Sequence, residues 1–419
     1  MINKSLISNI ISLSGIQFLT MLMPLIVFPY LVKTLGEEVF GLLAFSAAIV
    51  VFFQIFVDFG FGIYAPREIA RLKEAKECYK EFVRNVFSAK LMLLIISLVF
   101  FLFLINFNDK LSKDKVVLIL TFGTVIFQSL VPDWFFQGIE ENRIYLLIVS
   151  LCKIIGAIVT IILVNEPSDY LYVPIVNSLT IFFISMFSLM VLYFKYKVSY
   201  PFSIDFLMAF SIIRKTLEIF KTKAFIEFYR SSNPILLGFL GSNVIVGYYV
   251  IAEKIITIIQ SVQFPIGRAL LPYTVRKIES RGKNEHIKLV LKLIPTLLIS
   301  YSIVTCFIFF FSDFFIGLIS SSPELNSSFN LKVLSLVIIF GGLNYFISIV
   351  FMMPLRYERQ MSKFLMVVGV SHLFISSVLI FNFLDVGASI SLVISEIFLL
   401  FLLMIFITRI KRLMDEKQA

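Results

Sequence analysis

Twelve stretches of about 20 or more mostly apolar residues run through this chain, each long enough to cross a bilayer as an α-helix. They lie near residues 6–32, 39–65, 86–107, 116–139, 144–165, 171–194, 219–241, 243–271, 289–312, 331–354, 363–383 and 386–408. None shows the strict alternation of a membrane strand, so helices and not a barrel are expected. Composition agrees: of 419 residues 59% are hydrophobic and 15% charged, against roughly 25% charged in a soluble protein. A mean hydropathy of +0.96 over the whole chain leaves no room for a soluble domain of any size. The first run is too long for a signal-peptide core and has only Lys4 ahead of it, so a retained first helix is expected.

Charge orients these spans. With the N-terminus, the even-to-odd connections and the C-terminus on one side, that side holds 29 lysines and arginines. The other side holds only Lys33, Lys110, Lys113, Lys115 and Lys332. The positive-inside rule then places both termini in the cytoplasm. The net charge of +10 is accordingly a topology signal and an affinity for anionic lipid, and nucleic acid is not an expected partner.

The loops suggest a repeat. The long charged loops 67–90 and 268–292 follow helices 2 and 8, and each carries seven cationic residues. A polar segment at 195–218 separates two sets of six helices, giving lobes 1–200 and 201–419 in the same orientation, or else the loop lengths coincide by chance. Within 67–84, Ile69, Leu72, Tyr79, Phe82 and Val83 recur at helical spacing, which suits a short amphipathic helix on the membrane face or one packed against its own bundle.

Catalytic signatures are missing: there is no Walker loop, glycine-rich dinucleotide turn, HExxH or paired aspartate for a metal-bound nucleotide sugar. Cys78, Cys152 and Cys306 have no metal or disulfide spacing. The outward loop near 313–330 is too short for a catalytic domain, so no enzyme is expected and no metal or organic cofactor either.

What remains is ionisable residues inside spans. Lys153, Arg230 and Lys254 are claimed by no loop and sit about 15–16 Å into their helices, near the middle of a core roughly 30 Å thick. A charge there costs at least about 2.5 kcal/mol, so each should face a partner or a watery cavity. Three cations at one depth suggest a positive lining that attracts an anionic substrate. The competing account is local pairing, with Glu227 one turn before Arg230 and Glu253 beside Lys254. Asp58, Glu227, Glu253, Glu396 and His372 are candidates for coupling to a proton or sodium gradient, or for structural hydrogen bonds between helices. Prolines inside spans, among them Pro132 and Pro234, mark bends of the kind that line cavities.

Several stretches carry a family likeness. These are Pro29-Tyr30-Leu31-Val32-Lys33-Thr34-Leu35-Gly36 with Phe40-Gly41, and Asp58-Phe59-Gly60-Phe61-Gly62 running into Arg67-Glu68-Ile69-Ala70. To them add Pro132-Asp133-Trp134-Phe135-Phe136-Gln137-Gly138-Ile139-Glu140, and Gly241 to Lys254 with Val246-Gly247-Tyr248-Tyr249. In order and spacing the whole chain resembles the polysaccharide transporter family, which includes the Wzx-type O-antigen flippases. Gly60 and Gly62 would permit close helix approach, and Trp134 suits a helix nearing the membrane interface.

The resemblance implies an all-α, MATE-like fold of two six-helix lobes around a cavity that opens alternately to each side. It implies a flippase of the bacterial cytoplasmic (inner) membrane. The cargo would be an undecaprenyl-diphosphate-linked oligosaccharide for O-antigen, lipopolysaccharide or a similar surface glycan. The polysaccharide polymerase and glycosyltransferases of the same pathway would be its partners. Lys153, Arg230 and Lys254 come from the depth argument and not from a family motif. Two alternatives stay open: a cation-coupled multidrug exporter of the same superfamily, which should have an acidic cavity, and a membrane polysaccharide polymerase or ligase.

Overall fold

A computed structural model describes the backbone of residues 4–75, 78–198, 205–320 and 325–415. Side chains are described within those ranges from Ile26 to Ile410, apart from scattered positions between 264 and 284. Every regular element among them is helical, and helical backbone runs through each of the twelve expected ranges.

Nine described helical segments are long and apolar enough to cross a membrane. Two of these, Ile26–Glu74 and Glu358–Ile410, run to 49 and 53 residues. At about 1.5 Å per residue either would exceed twice the thickness of a bilayer core, so each must turn back. The breaks are visible. Gly36 takes φ 76° and ψ 170°, and Gly60 takes φ 83° just after Asp58. Glycine reaches such angles without the steric cost a Cβ would bring. Leu384, at φ 49° and ψ −126°, divides the last segment. The arrangement is that of a multi-pass membrane protein and is consistent with twelve crossings.

Large apolar side chains stand on the outside of these helices, including Phe103, Phe107, Ile303, Phe310, Phe374 and Phe381. An apolar surface of this extent is stable against acyl chains and not against water.

The chain forms two compact units, Met1–Glu227 and Phe228–Ala419. The boundary falls inside the Phe206–Leu240 helix, whereas the polar segment in the sequence suggested a divide near residue 200. The cause is local packing: Ala209, Ile212, Ile213 and Phe220, on the first turns of that helix, join the first unit's core.

That core is aromatic and centres on Trp134, Phe135 and Phe136, all wholly buried. Trp134 meets Phe87 edge-on at 5.5 Å, and Phe136 stacks on Tyr145 at 5.5 Å. Trp134 is thus a core residue rather than an interfacial anchor, because its short helix Asp133–Gly138 packs inward against the Phe61–Glu74 helix. At their contact a Cβ on Gly138 would come within 2.7 Å of the Ile69 Cβ. The amphipathic pattern of the first charged loop therefore packs on its own bundle: Ile69 and Val83 are buried there, with Tyr79 and Phe82 beside them. Beyond the spans, Glu141 accepts hydrogen bonds from Lys195 and Tyr196, and the Lys195 ammonium holds its carboxyl below the usual range.

The second unit has its own core around Tyr229, Phe346, Phe351, Val368 and Leu403. Within it the Leu336–Phe346 helix continues into a wider π-helical turn at Ile347–Met352, which falls on that core.

Candidate functional site

In a span, a polar side chain is costly unless it meets a partner or an aqueous space. In the first unit the polar positions share faces. Gln54 and Asp58 are one turn apart near the end of the helix that begins after Gly36. Thr121, Thr124 and Gln128 recur at three- and four-residue spacing along Lys115–Ser129, so they lie on one face of it. Lys223 and Glu227 are again one turn apart on Phe206–Leu240.

These faces meet at a cavity of about 710 Å³. Its charged lining is Asp58, Lys90, Asp133, Lys223 and Glu227. Its uncharged polar lining is Gln54, Thr121, Thr124, Gln128 and Asn177. Lys223 Nζ donates to Asp58 Oδ2 at 2.7 Å. Gly62 lies beside this pair, where a Cβ would be in ordinary contact, 3.6 Å from Lys223 Nζ and 3.7 Å from Asp58 Oδ2. Beside it Phe59 stacks on Phe220 at 4.1 Å, and a Cβ on Gly60 would collide with Ile219 at 2.8 Å. Asp133 lies within electrostatic range of Lys90, Asp58 and Lys223. Lys90 is only 3% exposed and still lines the cavity.

The second unit holds a separate polar network. Tyr229 donates to Glu396 Oε1 at 2.6 Å, and Asn344 donates to Glu396 Oε2 at 2.6 Å. Both carboxyl oxygens are thus engaged. The Tyr229 ring stands at 85° to that of His372, 5.1 Å away. His372 Nδ1 is 2.8 Å from Ser395 Oγ, whose own proton goes to the Ser391 carbonyl. The imidazole must then donate through Nδ1, leaving Nε2 as a buried acceptor with no hydrogen-bond partner among the described residues. Asn233 ties the same region together, donating to the Tyr249 hydroxyl and the Ala388 carbonyl.

The residues singled out from the sequence separate accordingly. Asp58 and Glu227 line the first unit's cavity. Lys153, in the same unit, is half-buried on Asn142–Leu163, has no ion-pair partner among the described residues, and is not part of that lining. In the second unit Arg230 is exposed, one residue from Tyr229 and within electrostatic range of Glu396. Lys254 is exposed and Glu253 half-buried on the Asn243–Ser261 helix. Glu396 and His372 come together through Tyr229.

Sequence reasoning missed Lys90, Lys223 and Asp133. Lys90 and Lys223 lie within a few residues of the starts of the expected spans 86–107 and 219–241, where the charge count assigns them to the adjoining loops. Yet the Tyr79–Phe107 helix begins well before Lys90, and Phe206–Leu240 well before Lys223. The uncharged lining carried a usable signal in Thr121, Thr124 and Gln128, three polar side chains on one face of an apolar helix.

Comparison with known proteins is consistent with this architecture. The chain is 25% identical over 423 residues to a putative O-antigen transporter of Escherichia coli (strain K12), covering 98% of each. It is 26% identical over 286 residues to a putative O-antigen transporter of Shigella dysenteriae, covering 67% of this chain and 70% of that one. Among solved structures it resembles the lipid II flippase MurJ in an inward closed conformation, with a TM-score of 0.73 and 16% identity over 96% of this chain and 87% of MurJ. It also resembles an inward-facing multidrug resistance MATE family transporter, with a TM-score of 0.67 and 14% identity over 95% of this chain and all of the other. The fold is that of the MATE and MurJ transporters, and the relatives are transporters and flippases rather than enzymes. The model of the polysaccharide biosynthesis protein family matches residues 6–278, well over half of the chain, and the chain belongs to that family.

Proposed function

We propose that this protein is a flippase that carries an undecaprenyl-diphosphate-linked oligosaccharide repeat unit from the cytoplasmic to the outer leaflet of the bacterial inner membrane. It works by alternating access, with both termini in the cytoplasm. The observation that carries the reading is the likeness to a putative O-antigen transporter along 98% of both chains. The polar cavity supports it, since a hydrophilic head group needs such a space to cross a bilayer core. Lys153, Arg230 and Lys254 are the proposed cations for the diphosphate, and Asp58, Glu227, Glu253, Glu396 and His372 the proposed ion-coupling groups.

A second reading has one observation in its favour. Three carboxylates and two lysines line the cavity, and an acidic cavity suits a cationic drug. One experiment separates the two. The protein is reconstituted in liposomes, and translocation of a lipid-linked oligosaccharide is followed beside that of a cationic dye. Movement of the glycolipid, abolished by inactivating variants, supports the flippase. Movement of the dye alone would replace it with an exporter.

A further inference from the structure

We infer that the cavity of the first unit is a seat for the sugar portion of the cargo, selective for neutral or amino sugars, and not a seat for its diphosphate. The inference rests on the flippase reading and assigns one part of the substrate to one set of side chains.

Hydrogen-bonding capacity is the first argument. Gln54, Thr121, Thr124, Gln128 and Asn177 reach the cavity from three helices. The amides of Gln54, Gln128 and Asn177 both donate and accept, as does every sugar hydroxyl. The Thr121 and Thr124 hydroxyls give their protons to the Val117 and Thr121 carbonyls and keep lone pairs that accept from a sugar. Lysine and arginine, which hold phosphate best, can only donate. Val50, Val51, Ile55, Ile181 and Ile226 also line the cavity, apolar surface suited to the C–H face of a pyranose ring. About 710 Å³ falls inside the usual range for small-molecule sites, room for roughly one or two sugar rings.

Charge is the second argument. The lining holds Asp58, Asp133 and Glu227 against Lys90 and Lys223, a formal excess of one negative charge. Asp58 already occupies Lys223 at 2.7 Å, and Asp133 lies in electrostatic range of Lys90. A diphosphate would have to displace both carboxylates and then remain beside them, at a repulsive cost in a low-dielectric site. A neutral sugar meets no such penalty, and an amino sugar would be drawn in. A uronic or sialic acid would be disfavoured for the same reason as the diphosphate.

The test measures binding to the purified full-length protein in detergent. The probes are undecaprenyl diphosphate bearing a neutral trisaccharide, the same lipid bearing a uronic acid, and the lipid without sugar. Gln128→Leu and Thr124→Val should each weaken binding of the neutral glycolipid roughly three- to tenfold, the effect of one lost hydrogen bond, and leave the sugarless lipid unchanged. Asp58→Asn with Glu227→Gln should narrow the preference for the neutral over the acidic glycolipid. Equal weakening for glycosylated and sugarless lipid would overturn the assignment in favour of a diphosphate seat, and no weakening would remove the cavity from recognition altogether. If the parent binds none of the lipids, the flippase reading fails, and the free neutral trisaccharide decides the seat by itself. Binding that Gln128→Leu weakens upholds the seat, and no binding refutes it.

Discussion

Lys223 Nζ sits 2.7 Å from Asp58 Oδ2, joining residues 165 apart in the sequence at the wall of the first unit's cavity. Asp58 ends its helix just before the left-handed turn at Gly60, while Lys223 comes from the helix that leads out of the unit. Phe59 stacked on Phe220 repeats the same junction in apolar form. One short segment of each helix thus supplies a charged and an aromatic contact to the other.

Because the two side chains remain 33% and 27% exposed, the pair itself should contribute no more than about 1 kcal/mol of stability. Its effect on transport should be larger, since either single change leaves an unpaired charge at the cavity. Lys223→Met should reduce glycolipid translocation about tenfold or more with normal membrane levels, and Asp58→Asn with Lys223→Met should recover part of it. Parent-like transport by Lys223→Met would show that the pair is a bystander.

Gly138 should tolerate no side chain. A Cβ there would lie 2.7 Å from the Ile69 Cβ and 3.0 Å from the Pro66 carbonyl oxygen, and the backbone cannot yield as a flexible side chain can. Gly138→Ala should cost about 1–3 kcal/mol, as overpacking does elsewhere. Thermal unfolding in detergent should show a lower Tm for Gly138→Ala and partial recovery when Ile69→Ala is added. An unchanged Tm would mean that the two short helices are not packed this closely.

Glu396 is held by Tyr229 and Asn344 and lies near Arg230. Glu396→Gln removes the charge while keeping nearly the same shape. Transport by that variant should lose its dependence on an imposed proton or sodium gradient, and Tyr229→Phe should shift the dependence less. If both variants follow every gradient as the parent does, Glu396 is a structural hydrogen-bond hub.

Membrane orientation is open to a direct check, motivated by the 29-to-5 division of cationic residues. Reporter fusions after residue 200 and at the C-terminus should report cytoplasm, and fusions near Asp169 and Leu325 should report the outside. An extracytoplasmic C-terminus would overturn the whole layout.

The sequence by itself determined the class of this protein. Apolar runs of bilayer length can only be spans, and the backbone in lipid must close its own hydrogen bonds, so helical backbone through all twelve ranges follows from residue type and length. The family motifs were equally legible, and residues 58–62 and 132–140 do supply Asp58, Gly62 and Asp133 to the cavity. The functional geometry was not legible, because depth along a helix says nothing of the direction a side chain faces. Lys153, Arg230 and Lys254 were selected on depth alone, and none of them lines the first unit's cavity. Lys90 and Lys223 stand near the starts of their apolar runs and read as loop charge, whereas the helices containing them begin well before either residue. Which polar residues share a space is decided by helix rotation and by close contacts such as Gly138 on Ile69 and Gly60 on Ile219. Those contacts depend on packing between residues far apart in the chain, and only the tertiary structure contains them.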